Sequence, residues 1–149
     1  MKIVILYSGG LDSFLMYKWA KAYHPDATIK CLFYAHGQAS EQAEIKSLPS
    51  FVEVRKIDWL NDKIKPVAKA SDPFADAVYI PGRNLIFSAL AASQELAEEI
   101  WMGTVWDEDN PEATDKNEPF RARTSSLLSY VLNPFIDSVT IRFPFVENE

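Results

Sequence analysis

The stretch Ser8-Gly9-Gly10-Leu11-Asp12-Ser13 constrains this chain more than any other because of what stands on either side of it. Before it, Ile3-Val4-Ile5-Leu6-Tyr7 is an unbroken apolar run of the kind that fills a strand buried on both faces. After it, Leu11, Phe14, Leu15, Trp19 and Ala22 recur at helical spacing and predict a helix with these residues on its apolar face. Two adjacent glycines let the backbone turn sharply between the two elements and present consecutive N–H groups, and the helix that follows adds the positive end of its dipole. Such a junction suits an anion. Ser8 and Ser13 can add hydroxyl hydrogen bonds to phosphate oxygens, and Asp12 can help hold a hydrated Mg2+ that offsets the repulsion between a carboxylate and a pyrophosphate. A tight turn with a helix cap would use the same residue types, but the order strand, turn, helix favours the anion site.

Further apolar runs rich in branched residues predict strands over Ile29 to Tyr34, Phe51 to Ile57, Ile100 to Gly103 and Val139 to Phe145. A short helix is expected around Ala39 to Ser47. Ile86, Ala89, Leu90, Ser93, Leu96 and Ala97 give the apolar face of another. Strands alternating with helices imply a parallel sheet with right-handed crossovers, hence one doubly wound α/β domain over residues 1–149.

Two segments interrupt the alternation and are long enough to be binding loops, Asp58 to Ala77 and Thr104 to Pro119. The second carries Asp107, Glu108, Asp109, Glu112, Asp115 and Glu118, which a solvated surface would also explain. Its place after a strand expected beside the first one favours a ligand role. In Tyr79-Ile80-Pro81-Gly82-Arg83-Asn84, Pro81 and Gly82 end an extended run and Asn84 is positioned to cap a helix. Arg83 adds a forked cation suited to phosphate or carboxylate, although the acidic surface alone would also give it partners.

At 149 residues with 48% apolar or aromatic side chains, the chain can bury one sizeable core. No run is long enough to cross a bilayer and the N-terminus lacks a signal pattern, so a cytoplasmic protein with no membrane partner is expected. The one cysteine, Cys31, lies in an apolar stretch and reads as a buried thiol. A net charge of −6 argues against a nucleic-acid footprint on this chain and favours small-molecule substrates.

The wording Ser8-Gly9-Gly10-Leu11-Asp12-Ser13 resembles the signature of the PP-loop ATP pyrophosphatases, and the remaining motifs narrow the resemblance to the 7-cyano-7-deazaguanine synthases. Tyr34-Ala35-His36-Gly37-Gln38 is similar to that family's Tyr-Gly-Gln element, with Glu41 or Glu44 following. Ile80-Pro81-Gly82-Arg83-Asn84 is similar to its VPGRN element, and Gly103 with Asp107 through Asp115 to Phe120 is similar to its glycine-ended strand and acidic loop. Val139 to Phe145 resembles the family's fifth strand. Three departures accompany these matches. Glu118-Pro119-Phe120 swaps the family's Pro-Glu-Phe order, the Tyr-Gly-Gln element is stretched, and the family's cysteine-rich zinc module has no counterpart, so a short form without zinc is expected.

The resemblance implies a five-stranded parallel sheet of the adenine nucleotide alpha hydrolase-like (PP-loop, HUP) type, with strand order 3-2-1-4-5. It also implies an ATP-dependent ligase that uses Mg2+ to convert 7-carboxy-7-deazaguanine and ammonia to 7-cyano-7-deazaguanine. On that reading Ser8, Gly9, Gly10, Leu11, Asp12 and Ser13 hold ATP, Asp12 holds the metal, and Tyr34 and His36 lie after the second strand near the adenine. Asp12, Ser13 and Arg83 serve catalysis, while Arg83, Asn84, Asp107, Asp115 and Glu118 face the substrate. A homodimer is compatible with the same reading. The loop also serves other adenylating enzymes that amidate or thiolate, and a silent ATP- or AMP-binding module would retain it too.

Overall fold

The computed structural model describes residues 1–38, 40–58, 60, 63–64, 80, 82–103 and 116–147. Its strands are β1 (Lys2–Leu6), β2 (Thr28–Ala35), β3 (Val52–Lys56), β4 (Glu99–Met102) and β5 (Thr140–Arg142). Its helices are α1 (Leu11–Tyr23), α2 (Glu41–Ser47), α3 (Arg83–Glu95), α4 (Glu118–Leu132) and the short α5 (Pro144–Glu147). All strands run parallel in the order β3-β2-β1-β4-β5, the order expected from the resemblance. The chain therefore winds outward from β1 in one direction and then, from β4, in the other. The carboxyl ends of β1 and β4 lie side by side at the switch between the two, which is where open α/β sheets receive ligands.

Strand alternation divides the apolar residues between two layers. Val4, Leu32, Tyr34, Ile100, Met102 and Ile141 face the cluster completed by Ala91, Ala92 and Leu128 of α3 and α4. Ile3, Ile5, Cys31 and Trp101 face Met16 and Ala20 of α1. Burial pushes the Cys31 thiol up to about 12, as a thiol sealed in an apolar layer requires. Among the described residues no helix is long and apolar enough to cross a membrane.

The structure corrects several sequence expectations. On α1, Leu11 and Leu15 of the expected apolar face are exposed, and Ser13, Met16 and Ala20 turn inward instead. Small side chains at 13 and 20 let the helix lie close to the sheet, and Phe14 and Tyr17 pack from the flanks. On α3, Ser93 and Leu96 are exposed while Ser88, Ala91 and Ala92 meet the sheet. That helix ends at Glu95, where Leu96 takes a left-handed conformation (φ 47°) and its N–H reaches the Ala92 carbonyl. The last strand stops at Arg142 rather than continuing to Phe145, because Pro144 has no N–H for the ladder and instead opens α5.

Candidate functional site

The loop after β1 is built by its glycines and closed by its serines. Tyr7 still donates its N–H to the Leu32 carbonyl at 2.8 Å, so the strand geometry holds up to the residue before the turn. Gly9 then adopts φ +88°, a conformation that a side chain would strain. Gly10 is extended and stands at the N-cap of α1. Having no side chain, it leaves the first-turn N–H donors to whatever else approaches them. Ser13 is buried in the first turn of the helix, and its Oγ accepts the Ser8 N–H at 2.9 Å and lies 2.9 Å from Ser8 Oγ. Two hydroxyls are thereby fixed beside the glycine turn. Asp12 is exposed in the same first turn.

Gly103, directly after β4, comes against this turn from the other side. A Cβ at 103 would stand 3.7 Å from Asp12 Cβ. On the third side Leu48, at the end of α2, reaches within 3.6 Å of where a Gly9 Cβ would be.

The segment after β2 is held by its own hydrogen bonds. His36 is buried and its N–H donates to Gln38 Oε1 at 3.0 Å, while Gln38 Nε2 donates to Glu44 Oε2 at 2.9 Å. Gly37 turns at φ +89° and donates its N–H to Glu41 Oε1 at 3.1 Å. The Ser40 hydroxyl donates to Glu44. Tyr34 differs from its expected position: it lies inside β2, on the face covered by α3. Its ring stacks on Phe87 with centroids 5.2 Å apart and its hydroxyl donates to Gln94 Oε1 at 2.8 Å. Burial raises the pKa of this phenol against the opposing pull of Arg55, so it remains a neutral donor committed to the helix. His36 also meets Phe87, at 5.9 Å between ring centroids.

Arg83 is the first residue of α3, as its place in the sequence suggested, but Asn84 is not the cap. Gly82 takes that position at φ +72°, where only glycine is free of strain, and Asn84 contributes its carbonyl to the Ser88 hydroxyl at 2.6 Å. Phe87 lies one helical turn after Arg83, so its contact with His36 brings the Arg83 end of α3 to the carboxyl end of β2. Glu118 does not sit in a loop. It is the first residue of α4, whose cap is Asn117, and Arg121 grips it with Nε at 2.7 Å and Nη2 at 2.6 Å. Those hydrogen bonds hold the Glu118 carboxyl below its ordinary range. Asp107 and Asp115, with the rest of the acidic stretch before Lys116, lie outside the described residues, as do Tyr79 and Pro81.

The structure thus gathers Ser8, Gly9, Gly10, Asp12 and Ser13 with Gly103 at the switch point, and His36 with the Arg83 end of α3 beside it. Phe87 and Leu48 were not singled out from the sequence. Phe87 carries a signal in its four-residue spacing from Arg83, whereas the contact of Leu48 with Gly9 spans two elements and leaves no local trace.

No family model matches this chain. It is similar to a 7-cyano-7-deazaguanine synthase of a Nitratiruptor species, 27% identical over 98% of this chain and 73% of that protein. It is also similar to a 7-cyano-7-deazaguanine synthase of Pyrococcus horikoshii, 24% identical over 97% of this chain and 70% of that one. Among solved structures, a predicted subunit of a tRNA methyltransferase from Methanocaldococcus jannaschii matches the whole chain and 70% of its own, with a TM-score of 0.55 and 16% identity. That likeness concerns the fold. The resemblance to the 7-cyano-7-deazaguanine synthases extends over nearly the full chain, and the sheet has the strand order 3-2-1-4-5 that the resemblance implied.

Proposed function

We propose that this chain is an ATP-dependent adenylating ligase of the 7-cyano-7-deazaguanine synthase kind. The observation that carries the reading is the pair of serine hydroxyls, 2.9 Å apart, fixed around a left-handed glycine turn at the switch between β1 and β4. Supporting it are the similarity to named synthases and the family-like elements that fall at the carboxyl ends of β1, β2 and β4.

In this reading the carboxylate of 7-carboxy-7-deazaguanine attacks the α-phosphorus of ATP and pyrophosphate leaves. Ammonia then displaces AMP to form the amide. The amide oxygen attacks a second ATP, pyrophosphate leaves again, and loss of AMP with the amide protons gives the nitrile. The chain's part is charge stabilisation and placement. The Gly9 and Gly10 N–H groups and the Ser8 and Ser13 hydroxyls receive the leaving pyrophosphate, and Arg83 supplies a fixed cation to a phosphate or to the substrate carboxylate. The His36 imidazole and the half-buried ring of Phe87, 5.9 Å apart between centroids, offer ring surfaces to a planar base. Glu118, Asp107 and Asp115 remain candidates for reading the deazaguanine edge, since carboxylates accept from its ring N–H and amine, and Asn84 is a candidate through its amide, which can both donate and accept. Glu118 can take that role while keeping Arg121, which fills one acceptor site on each of its oxygens.

Asp12 fits a Mg2+ of the kind that keeps most of its waters and takes further oxygens from phosphates. It offers one exposed hard ligand, and the described residues contain no group of three or more His, Cys, Asp or Glu able to cage a metal. When bound, the ion would neutralise charge on the pyrophosphate.

The test is to incubate the protein with ATP, Mg2+, ammonium and 7-carboxy-7-deazaguanine and to follow AMP, pyrophosphate and product mass. Formation of the nitrile, with two AMP per product, is expected. Pyrophosphate release with another carboxylate but not this one would replace the substrate while keeping the chemistry, and no release with any acid would overturn the reading.

A further inference from the structure

Glycine is needed at 103 for a different reason from the one that applies at Gly9. Gly9 has a positive φ and only an ordinary contact near its missing Cβ. Gly103 is not among the positive-φ residues, yet a Cβ there would stand 3.0 Å from Met16 Cε, 3.6 Å from Met16 Sδ and 3.7 Å from Asp12 Cβ. The first of these is tighter than the ordinary separation of packed carbons, so the Met16 methyl would have to give way slightly. Met16 is fully buried in the cluster that also holds Ile3, Ile5, Tyr7, Ala20 and Trp101, so its terminal methyl can give way only by moving against packed neighbours. Asp12 and Met16 are four residues apart and share the face of α1 turned to β4. A side chain at 103 would therefore press on the helix through Met16, one turn after Asp12, and would lie in ordinary contact with Asp12 Cβ.

We propose that Gly103 is a positioning residue for Asp12: the bare end of β4 sets how closely α1 approaches the sheet, and so where the Asp12 carboxylate stands relative to the Ser8 and Ser13 hydroxyls. This rests on the reading of Asp12 as the group that holds Mg2+ beside the pyrophosphate. Met16 transmits the constraint, because its Cε is the atom nearest to the space that Gly103 leaves empty. Leucine at 16 keeps a carbon near the position of Sδ and has no atom at that of Cε, so it should relieve a methyl at 103.

Four variants test the inference, each examined for the Asp12 amide resonance by NMR and for the Mg2+ dependence of ATP binding by calorimetry. In Gly103→Ala the Asp12 resonance should move and the Mg2+ requirement should rise about tenfold, since small misplacements of a charge-holding group have large effects. Met16→Leu alone should behave as the wild type. Gly103→Ala combined with Met16→Leu should return both readouts to within about twofold of it, a rescue that simple destabilisation would not give. If Gly103→Ala does not fold while the double variant does, the close approach is upheld by the rescue itself. An unchanged Asp12 resonance in folded Gly103→Ala, or a folded double variant that fails to recover, overturns the proposal. Asp12→Asn separates it from the reading beneath it. Should Asp12→Asn bind ATP with an unchanged Mg2+ requirement while the resonance still moves and returns as described, Gly103 still places Asp12 and the metal role of Asp12 falls.

Discussion

At the scale of single residues, the two glycines of the first loop have separable roles. Gly9 is required for its backbone, at φ +88°, whereas Gly10 is extended and the nearest atom to its missing Cβ is Ser8 Oγ at 3.9 Å. Gly9→Ala should therefore cost about 1–2 kcal/mol of stability. Gly10→Ala should leave stability within about 0.5 kcal/mol. Urea unfolding of the two variants checks the contrast, and equal losses would contradict it. The loop was legible in the sequence because its requirements are local: a strand end, a positive φ and a helix start follow one another along the chain. Arg83 was legible for the same reason. The assignment of the cap to Asn84 missed because Asn and Gly both favour helix starts, and the φ of +72° that decides for Gly82 is set by how the chain enters α3.

At the scale of elements, α4 protects the edge of the sheet. Alternate backbone groups of β5 point toward β4, where Thr140 donates its N–H to the Glu98 carbonyl at 2.8 Å, and the others point outward. Ser129 Oγ accepts the Val139 N–H at 2.8 Å and Ser125 Oγ accepts the Ile141 N–H at 2.9 Å. Arg121 Nη1 approaches the Ile141 carbonyl at 3.5 Å. The residues 121, 125 and 129 are spaced at one helical turn, so one stripe of α4 takes the place of a sixth strand. Ser129→Ala should leave the Val139 N–H without that partner and cost about 1–2 kcal/mol. Faster hydrogen exchange at Val139 than at Thr140 would mark the loss as local, and unchanged exchange at both would refute this account. A run of serines on a helix carries no sequence sign of this role. The inward face of α1 escaped notice for a related reason, since Ser13, Met16 and Ala20 form a weaker apolar stripe than the exposed Leu11 and Leu15.

At the scale of the molecule, four elements are tied together by one buried carboxylate. Glu95, at the end of α3 with its side chain only 6% exposed, meets Lys2 of β1 at 2.8 Å, Lys30 of β2 at 3.1 Å and Arg55 of β3 at 2.6 Å. Arg55 also holds Glu53 at 2.6 Å and donates to Gln94 at 2.7 Å, which joins the cluster to Tyr34. Burial works to raise the pKa of Glu95, but the hydrogen bonds from Lys2, Arg55 and Lys30 outweigh it and bring the carboxyl from 4.5 down to about 2. Because the folded value is the lower one, the stabilisation is complete above the ordinary carboxylate range and disappears as pH falls from 4.5 toward 2. It amounts to roughly 3 kcal/mol. Glu95→Gln should accordingly be less stable than the wild type by about 2–4 kcal/mol at neutral pH, and the gap should narrow on acidification. Denaturant melts across that range measure it, and a gap independent of pH would remove Glu95 as its source.

The amino-acid sequence by itself determined the five strands and the first three helices in their order, though not α4 or α5, together with the glycine turn with its serines and aspartate and the cation at the head of α3. Each of these follows from periodicity or backbone freedom within a few neighbouring residues. Only the tertiary structure decided which face of α1 turns inward, that Tyr34 packs beneath α3 instead of following β2, that Glu118 is held by Arg121, and that Gly103 leaves room for Met16 and Asp12. The side chains of Tyr34, Gln94, Arg55 and Glu95, and the close approach of residues 12 and 103, join positions far apart in the chain. Their partners are set by strand order and crossover direction, and no local pattern encodes which distant side chain a parallel sheet will bring alongside.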